Sequence, residues 1–171
     1  MKLPAATIAF CGSVIAAAAC APTADQEPAT DETALAASAQ DDAAIRRLPI
    51  EDWCNAEAAR DMEAKLKLFT TDAVLMPPAE SNVIGQEAIR AWHEKFWEGT
   101  TYQCSGTVEE VEIFGDWGMV RGTFSGEITA ASGERRPTSG KFLNVVRRQA
   151  DGSWKIARAI WNASHTAMTM N

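Results

Sequence analysis

Between residues 101 and 164 the chain reads as almost nothing but strand. Four long segments, 101–114, 117–130, 135–148 and 153–164, are separated by Gly-Asp, Ser-Gly and Asp-Gly turn pairs. Segments this long, joined by turns this short, form an antiparallel meander. What precedes them is helical, so the order is helices first and strands after. That order predicts an α+β domain in which the helices cover one face of a curled sheet.

The helical half has three parts. Ile45 and Leu48 open an apolar pattern that Pro49 interrupts, so a helix kinks there or a new one starts with proline in its first turn. The pattern resumes at Ile50 and runs through Trp53 and Ala56. Asp61 then caps "MEAKLKLF", with Met62, Leu66 and Phe69 on one side. A short apolar strand, "DAVLMPP", ends in two prolines that cannot continue a ladder. "GQEAIRAWHEKFWEG" is the clearest helix: Ile89, Trp92, His93, Phe96 and Trp97 form one stripe, and Gly99 follows at its end.

The strands raise a question of facing. Strict alternation in the last one puts Trp154, Ile156, Arg158, Ile160 and Asn162 on one face and Ala157, Ala159 and Trp161 on the other. The strand before it is apolar on both faces, with Phe142 and Val146 against Leu143 and Val145. A sheet with one wet face alternates more cleanly. We therefore expect the second face to be covered too, most simply by a second copy in a homodimer.

The first forty residues lie outside this pattern. Lys2 and the apolar stretch 5–19 read as a signal peptide, too short to span a bilayer comfortably. It ends in Ala17-Ala18-Ala19-Cys20, which resembles a lipobox although leucine is usual where Ala17 stands. Cys20 would then be lipidated and tether the protein to a membrane; ordinary secretion is the alternative. Residues 20–43 are rich in Ala, Thr, Asp and Glu and read as a disordered acidic linker. The folded domain is expected at 44–166, with a tail at 167–171. Export to the periplasm or the outer membrane would permit Cys54 and Cys104 to pair, and two free thiols are the other reading. With 23 acidic and 16 basic residues the net charge is −7, which excludes a nucleic-acid partner.

Seven short stretches follow one another in a telling order: Trp53 to Asp61, "FTTDAVLMPP" from Phe69, "IGQEAI" from Ile84, "GDW" from Gly115, "VRG" from Val120, "SGKFLNVVRR" from Ser139 and "DGSWKI" from Asp151. Together they resemble the SnoaL-like and ketosteroid-isomerase-like domains of the nuclear transport factor 2-like superfamily, and most of all its small bacterial branch of uncharacterised function. The resemblance implies a cystatin-like cone: helices packed in a strongly curved mixed or antiparallel sheet around a pocket, often in a dimer. It does not imply one activity, because isomerases, cyclases, dehydratases, binding proteins and assembly domains share the fold.

Carried over residue by residue, the resemblance removes one activity. The steroid isomerases' catalytic aspartate falls on Pro77 and their oxyanion tyrosine on Trp53, so no steroid isomerase is expected. Asp72 and His93 remain as weak catalytic candidates, with strand-end and packing roles as their plain alternatives. His165 reads as a surface residue. Two distant histidines, with no cysteine pair at ligand spacing, predict no metal, and nothing predicts a cofactor. The pocket is expected to be lined by Trp53, Met76, Trp92, Phe96, Arg121, Asn144, Arg158 and Asn162. Arg158 would need a partner, either an internal carboxylate such as Glu57 or Asp61 or the acidic group of a ligand. The expected role is binding of a small apolar or weakly acidic molecule. A carbonyl-directed isomerase, cyclase or dehydratase and a dimeric interaction domain with a vestigial pocket are the alternatives.

Overall fold

The computed structural model describes residues 31–163; the leader, Cys11, Cys20, His165 and the tail lie outside the described residues. Helix α1 (Asp31–Arg47) begins inside the stretch expected to be a disordered linker. Its sequence is alanine-rich, and alanine is the strongest helix former. Its end is also anchored. Asp41 accepts hydrogen bonds from Arg148 Nη1 and Nη2 at 2.8 and 2.6 Å and from Trp154 Nε1 at 3.0 Å. Ile45 and Leu48 complete the docking from within the core.

At Pro49 the helical run does not break. It passes through a wide π-helical turn, Leu48–Asp52, and continues into α2 (Trp53–Ala59). Proline lacks the N–H that a regular helical turn uses, and the wider turn absorbs the loss. Arg60 takes a left-handed conformation to end α2. Asp61 caps α3 (Met62–Lys67), its carboxylate accepting the Ala64 N–H at 2.9 Å. Strands β1 (Phe69–Met76) and β2 (Val83–Ile84) and helix α4 (Gln86–Gly99) follow. The meander is β3 (Thr100–Phe114), β4 (Trp117–Ala130), β5 (Arg135–Arg148) and β6 (Trp154–Ala163).

The six strands form one mixed sheet in the order β2-β1-β6-β5-β4-β3, antiparallel except where β1 runs parallel to β6. The helices fill its concave side, as the resemblance implies. Close approach on that side needs small residues. A Cβ built on Gly122 would stand 2.9 Å from the Phe142 ring, and one on Gly140 would stand 2.7 Å from the Phe124 ring. Glycine at these positions lets aromatic side chains lie flat across the inner face of the neighbouring strand.

Strict alternation fails in β6. Val145 pairs with Arg158, but the next residue, Val146, pairs with Ile156. Ala157 is therefore an extra residue, a β-bulge, and both it and Ile156 are fully buried. The bulge reverses facing along the rest of the strand. Ala159, Trp161 and Ala163 turn inward, and Arg158, Ile160 and Asn162 turn to the outer face. The expected assignment of both sets is thus inverted past Ala157. The outer face does carry apolar residues: Leu143 and Ile160 pair in register and are 37% and 44% exposed.

Cys54 on α2 and Cys104 on β3 are joined in a disulfide, with Cα atoms 5.5 Å apart and 50 residues of chain between them. Closing a loop of that length restricts the unfolded chain by about 4 kcal/mol in the entropy model. Replacing both cysteines by serine should lower unfolding stability by about 2–4 kcal/mol. Urea titrations of the oxidised protein and the double variant, followed by far-UV circular dichroism, measure the difference.

Candidate functional site

The mouth of the cone opens on a cavity of about 250 Å³ between α2, α4 and the inner sheet face. Helix α2 brings Trp53 and the disulfide, and α4 brings Trp92, His93 and Phe96. Strands β3 to β6 contribute Tyr102, Phe124, Phe142, Asn144 and Trp161. Pro77, Pro78 and Glu80, after β1, stand at the rim. The aromatic rings touch one another. Trp92 stacks on Phe96, with ring centres 5.9 Å apart and planes within 4°, and Trp161 meets both Trp53 and Trp92 edge-on at 6.1 Å. Trp92 Nε1 donates to Glu80 Oε2 at 2.9 Å.

Behind the aromatic wall lies a buried polar cluster. Lys65 Nζ stands 2.5 Å from Glu57 Oε2, and both side chains are excluded from solvent. Trp97 Nε1 donates to Glu57 Oε1 at 2.6 Å. The Lys65 ammonium also donates to the Trp53 carbonyl at 3.2 Å and lies 4.0 Å above the Trp53 ring. Burial lowers the Lys65 pKa and the Glu57 carboxylate opposes that shift. His93 sits at the edge of this cluster, 1% exposed, with neither ring nitrogen hydrogen-bonded to a described residue. Its Nδ1 is 3.8 Å from Glu57 Oε2, and the indoles of Trp53, Trp92 and Trp97 pack around it. Burial, reinforced by the Lys65 charge, pushes His93 down to about 2, so the imidazole is neutral.

Four of the eight expected pocket residues stand on the cavity wall: Trp53, Trp92, Phe96 and Asn144. The other four do not. Arg158 lies outside because of the Ala157 bulge, and its guanidinium donates to the backbone oxygens of Ala157 and Asp72 at 2.6 and 3.3 Å. It meets neither Glu57 nor Asp61, which are occupied by Lys65 and by the α3 cap. Asn162 follows the same reversed facing. Met76 pairs in register with Ile160 and shares its outer face. Arg121 pairs on the outer face with Glu109, at 2.6 Å, and with Glu110. Of the catalytic candidates, Asp72 is on the outer face in a bidentate pair with Arg147, at 2.8 and 3.4 Å, away from the cavity. His93 is at the cavity but screened by tryptophans. Among the described residues, no three His, Cys, Asp or Glu side chains come together as a metal would require.

Sequence reasoning missed Lys65, Tyr102, Phe124, Phe142 and Trp161 as parts of the site. A signal existed for Lys65, which falls three residues after Met62 and four before Phe69, on the apolar side of its helix. Trp161 was lost with the bulge.

Neutral His93 makes stability depend on acid. Its folded pKa is below the unfolded value of 6.5, so below that pH the unfolded chain takes up a proton that the folded one refuses. Stability falls as pH falls, by about 1.4 kcal/mol per unit for this group. Urea midpoints should therefore drop by the equivalent of about 2 kcal/mol between pH of about 6.5 and about 5. His93→Gln should remove that slope.

A family model for the SnoaL-like domain matches residues 50–159. No curated protein matches the chain. Solved structures do. A ketosteroid isomerase-like protein from Erwinia carotovora atroseptica is 26% identical over 73% of this chain and 94% of its own, with a TM-score of 0.64. A conserved protein from Planctomyces limnophilus is 26% identical over 74% of this chain and 99% of its own, with a TM-score of 0.67. A hexachlorocyclohexane dehydrochlorinase, LinA-type3, from Novosphingobium barchaimii is 16% identical over 76% of this chain and 90% of its own, at 0.67, a likeness of fold alone. With the helices inside a curled six-stranded sheet, and with the family model spanning most of the described residues, the chain belongs to the SnoaL-like family and has its cystatin-like, nuclear transport factor 2-like fold.

Proposed function

We propose that the domain binds a small molecule with a planar, largely apolar body inside the cone. The observation that carries this reading is the aromatic-walled cavity interrupted by one buried amide, Asn144, which is 4% exposed. Asn144 sets one amide into a wall that is otherwise mainly aromatic, and a ligand with one polar group gives that amide a partner. The acidic ligand anticipated from Arg158 has lost its support, since that guanidinium faces the other way.

A second reading, acid–base catalysis on a carbonyl or related compound, is favoured by His93. It is neutral and unpaired, and it stands beside the Glu57 carboxylate. Two of the structural neighbours are dehydrochlorinases. His93 is 1% exposed and packed among indoles, so binding is the primary reading.

A second copy would cover the outer face, centred on Leu143 and Ile160, in a homodimer. The Cys54–Cys104 disulfide supports export, because such bonds persist in oxidising compartments. Tethering through Cys20 would then hold the domain at a membrane surface.

Native mass spectrometry of protein purified from its own host should detect a bound small molecule and the dimer mass together. Titration with β-naphthol should quench tryptophan fluorescence saturably. Asn144→Leu should weaken that binding about tenfold, and Trp161→Ala should weaken it as well. A linear, unsaturable response would sink the binding reading. Cells grown with labelled palmitate should yield labelled protein, and Cys20→Ser should abolish the label.

A further inference from the structure

We propose that the cavity takes a small organic cation, a substituted ammonium, in preference to a neutral or anionic molecule of the same shape. The inference rests on the ligand-binding reading and names the ligand's charge.

Charge along the wall is one-sided. Among the described residues no lysine or arginine lines the cavity, whereas Glu57 and Glu80 do. Arg121, Arg147 and Arg158 pair on the outer face of the sheet. Lys65, the nearest ammonium, is neutralised by Glu57 at 2.5 Å and stands behind Trp53. A carboxylate ligand would enter without a counter-charge, which costs several kcal/mol for a buried ion. Deep in the cavity burial disfavours charge of either sign, on Tyr102 with help from Glu57 and on His93 with help from Lys65, so the cation would sit toward the Glu80 rim.

The rings add attraction to this asymmetry. An aromatic face carries negative potential and draws a cation within about 6 Å of its centre. Trp92 is the strongest candidate, because its N–H donates to the Glu80 carboxylate and thereby shifts electron density onto the indole. Phe96 lies parallel to it, and Trp161 crosses its edge. The protein already uses one ring of this wall in the proposed way: Lys65 Nζ sits 4.0 Å above Trp53. Glu80, at the exposed rim, supplies the counter-charge that the rings lack. The space, about 250 Å³, is smaller than the roughly 300 Å³ at which drug-sized pockets begin, and it suits a compact headgroup.

Isothermal calorimetry of the full chain with three probes of one shape tests the idea. The probes are choline, its uncharged tert-butyl alcohol analogue and the anion of tert-butylacetic acid. Choline should bind at least about tenfold more tightly than the alcohol, and the anion should give no measurable heat. Glu80→Gln, which keeps an acceptor for Trp92 but removes the charge, should weaken choline several-fold more than it weakens the alcohol. If the alcohol binds as tightly as choline, or the anion binds at all, the cation preference is overturned while the ligand site stands. If choline fails to bind but β-naphthol saturates, the preference falls alone. If neither binds, both readings fall.

Discussion

Glu57 and Lys65 carry opposite charges 2.5 Å apart in a place where neither meets water. The pair joins α2 to α3, and Trp97 brings α4 to the same carboxylate. Three short helices are thereby held together by one acceptor group. Alone, α2 and α3 are too short to persist as helices in water. The desolvation cost of two buried ions is large, and only close contact offsets it. Removal of one partner, leaving the other charge alone, would cost about 3–5 kcal/mol. The same pair governs the cavity. It pairs the Lys65 ammonium behind the wall, and the Lys65 charge helps burial to keep His93 neutral. The charge character of the site is thus set from behind the aromatic wall.

The sheet imposes the second constraint. A cone needs strands that bend, and a bend changes which residues look inward. At Ala157 one extra residue turns Trp161 into the cavity and Arg158 out of it. The extra residue leaves Ile156 and Ala157 both fully buried, side by side. Its effect on the site is large. The cavity gains an indole and loses a guanidinium, and so passes from an apparent anion site to an aromatic one.

That substitution explains what was legible in the sequence. Element order, strand limits and the stripe on α4 followed from periodicity and turn residues, because burial on one face leaves a repeating pattern. The ordered motifs gave the family for the same reason. Trp53, Trp92 and Phe96 could be placed at the cavity since helical spacing fixes a side chain's direction once the core side is known. A bulge leaves no such mark. "KIARAIW" reads equally well as unbroken alternation, and only pairing with β5 across the sheet reveals the extra residue. Helix α1 was hidden differently. Before Ile45 its acidic, alanine-rich sequence offers Leu35 as its one large apolar residue, and its docking also depends on Asp41 reaching Arg148, more than a hundred positions away.

The two faces of the sheet therefore divide the polar residues between them by sign and by purpose. Arginines concentrate outside, where Arg121, Arg147 and Arg158 meet exposed carboxylates or backbone oxygens and contribute little to stability. Inside, the polar groups are few and uncharged or mutually neutralised: Asn144, His93, the half-buried Tyr102 and the Glu57–Lys65 pair. Burial holds the His93 imidazole neutral as it holds the Tyr102 phenol protonated, so the deep interior admits neither sign freely and the rim tips the balance. The exposed carboxylate at the rim, Glu80, is fixed by Trp92. What enters the cone meets that carboxylate first and the indole it holds second.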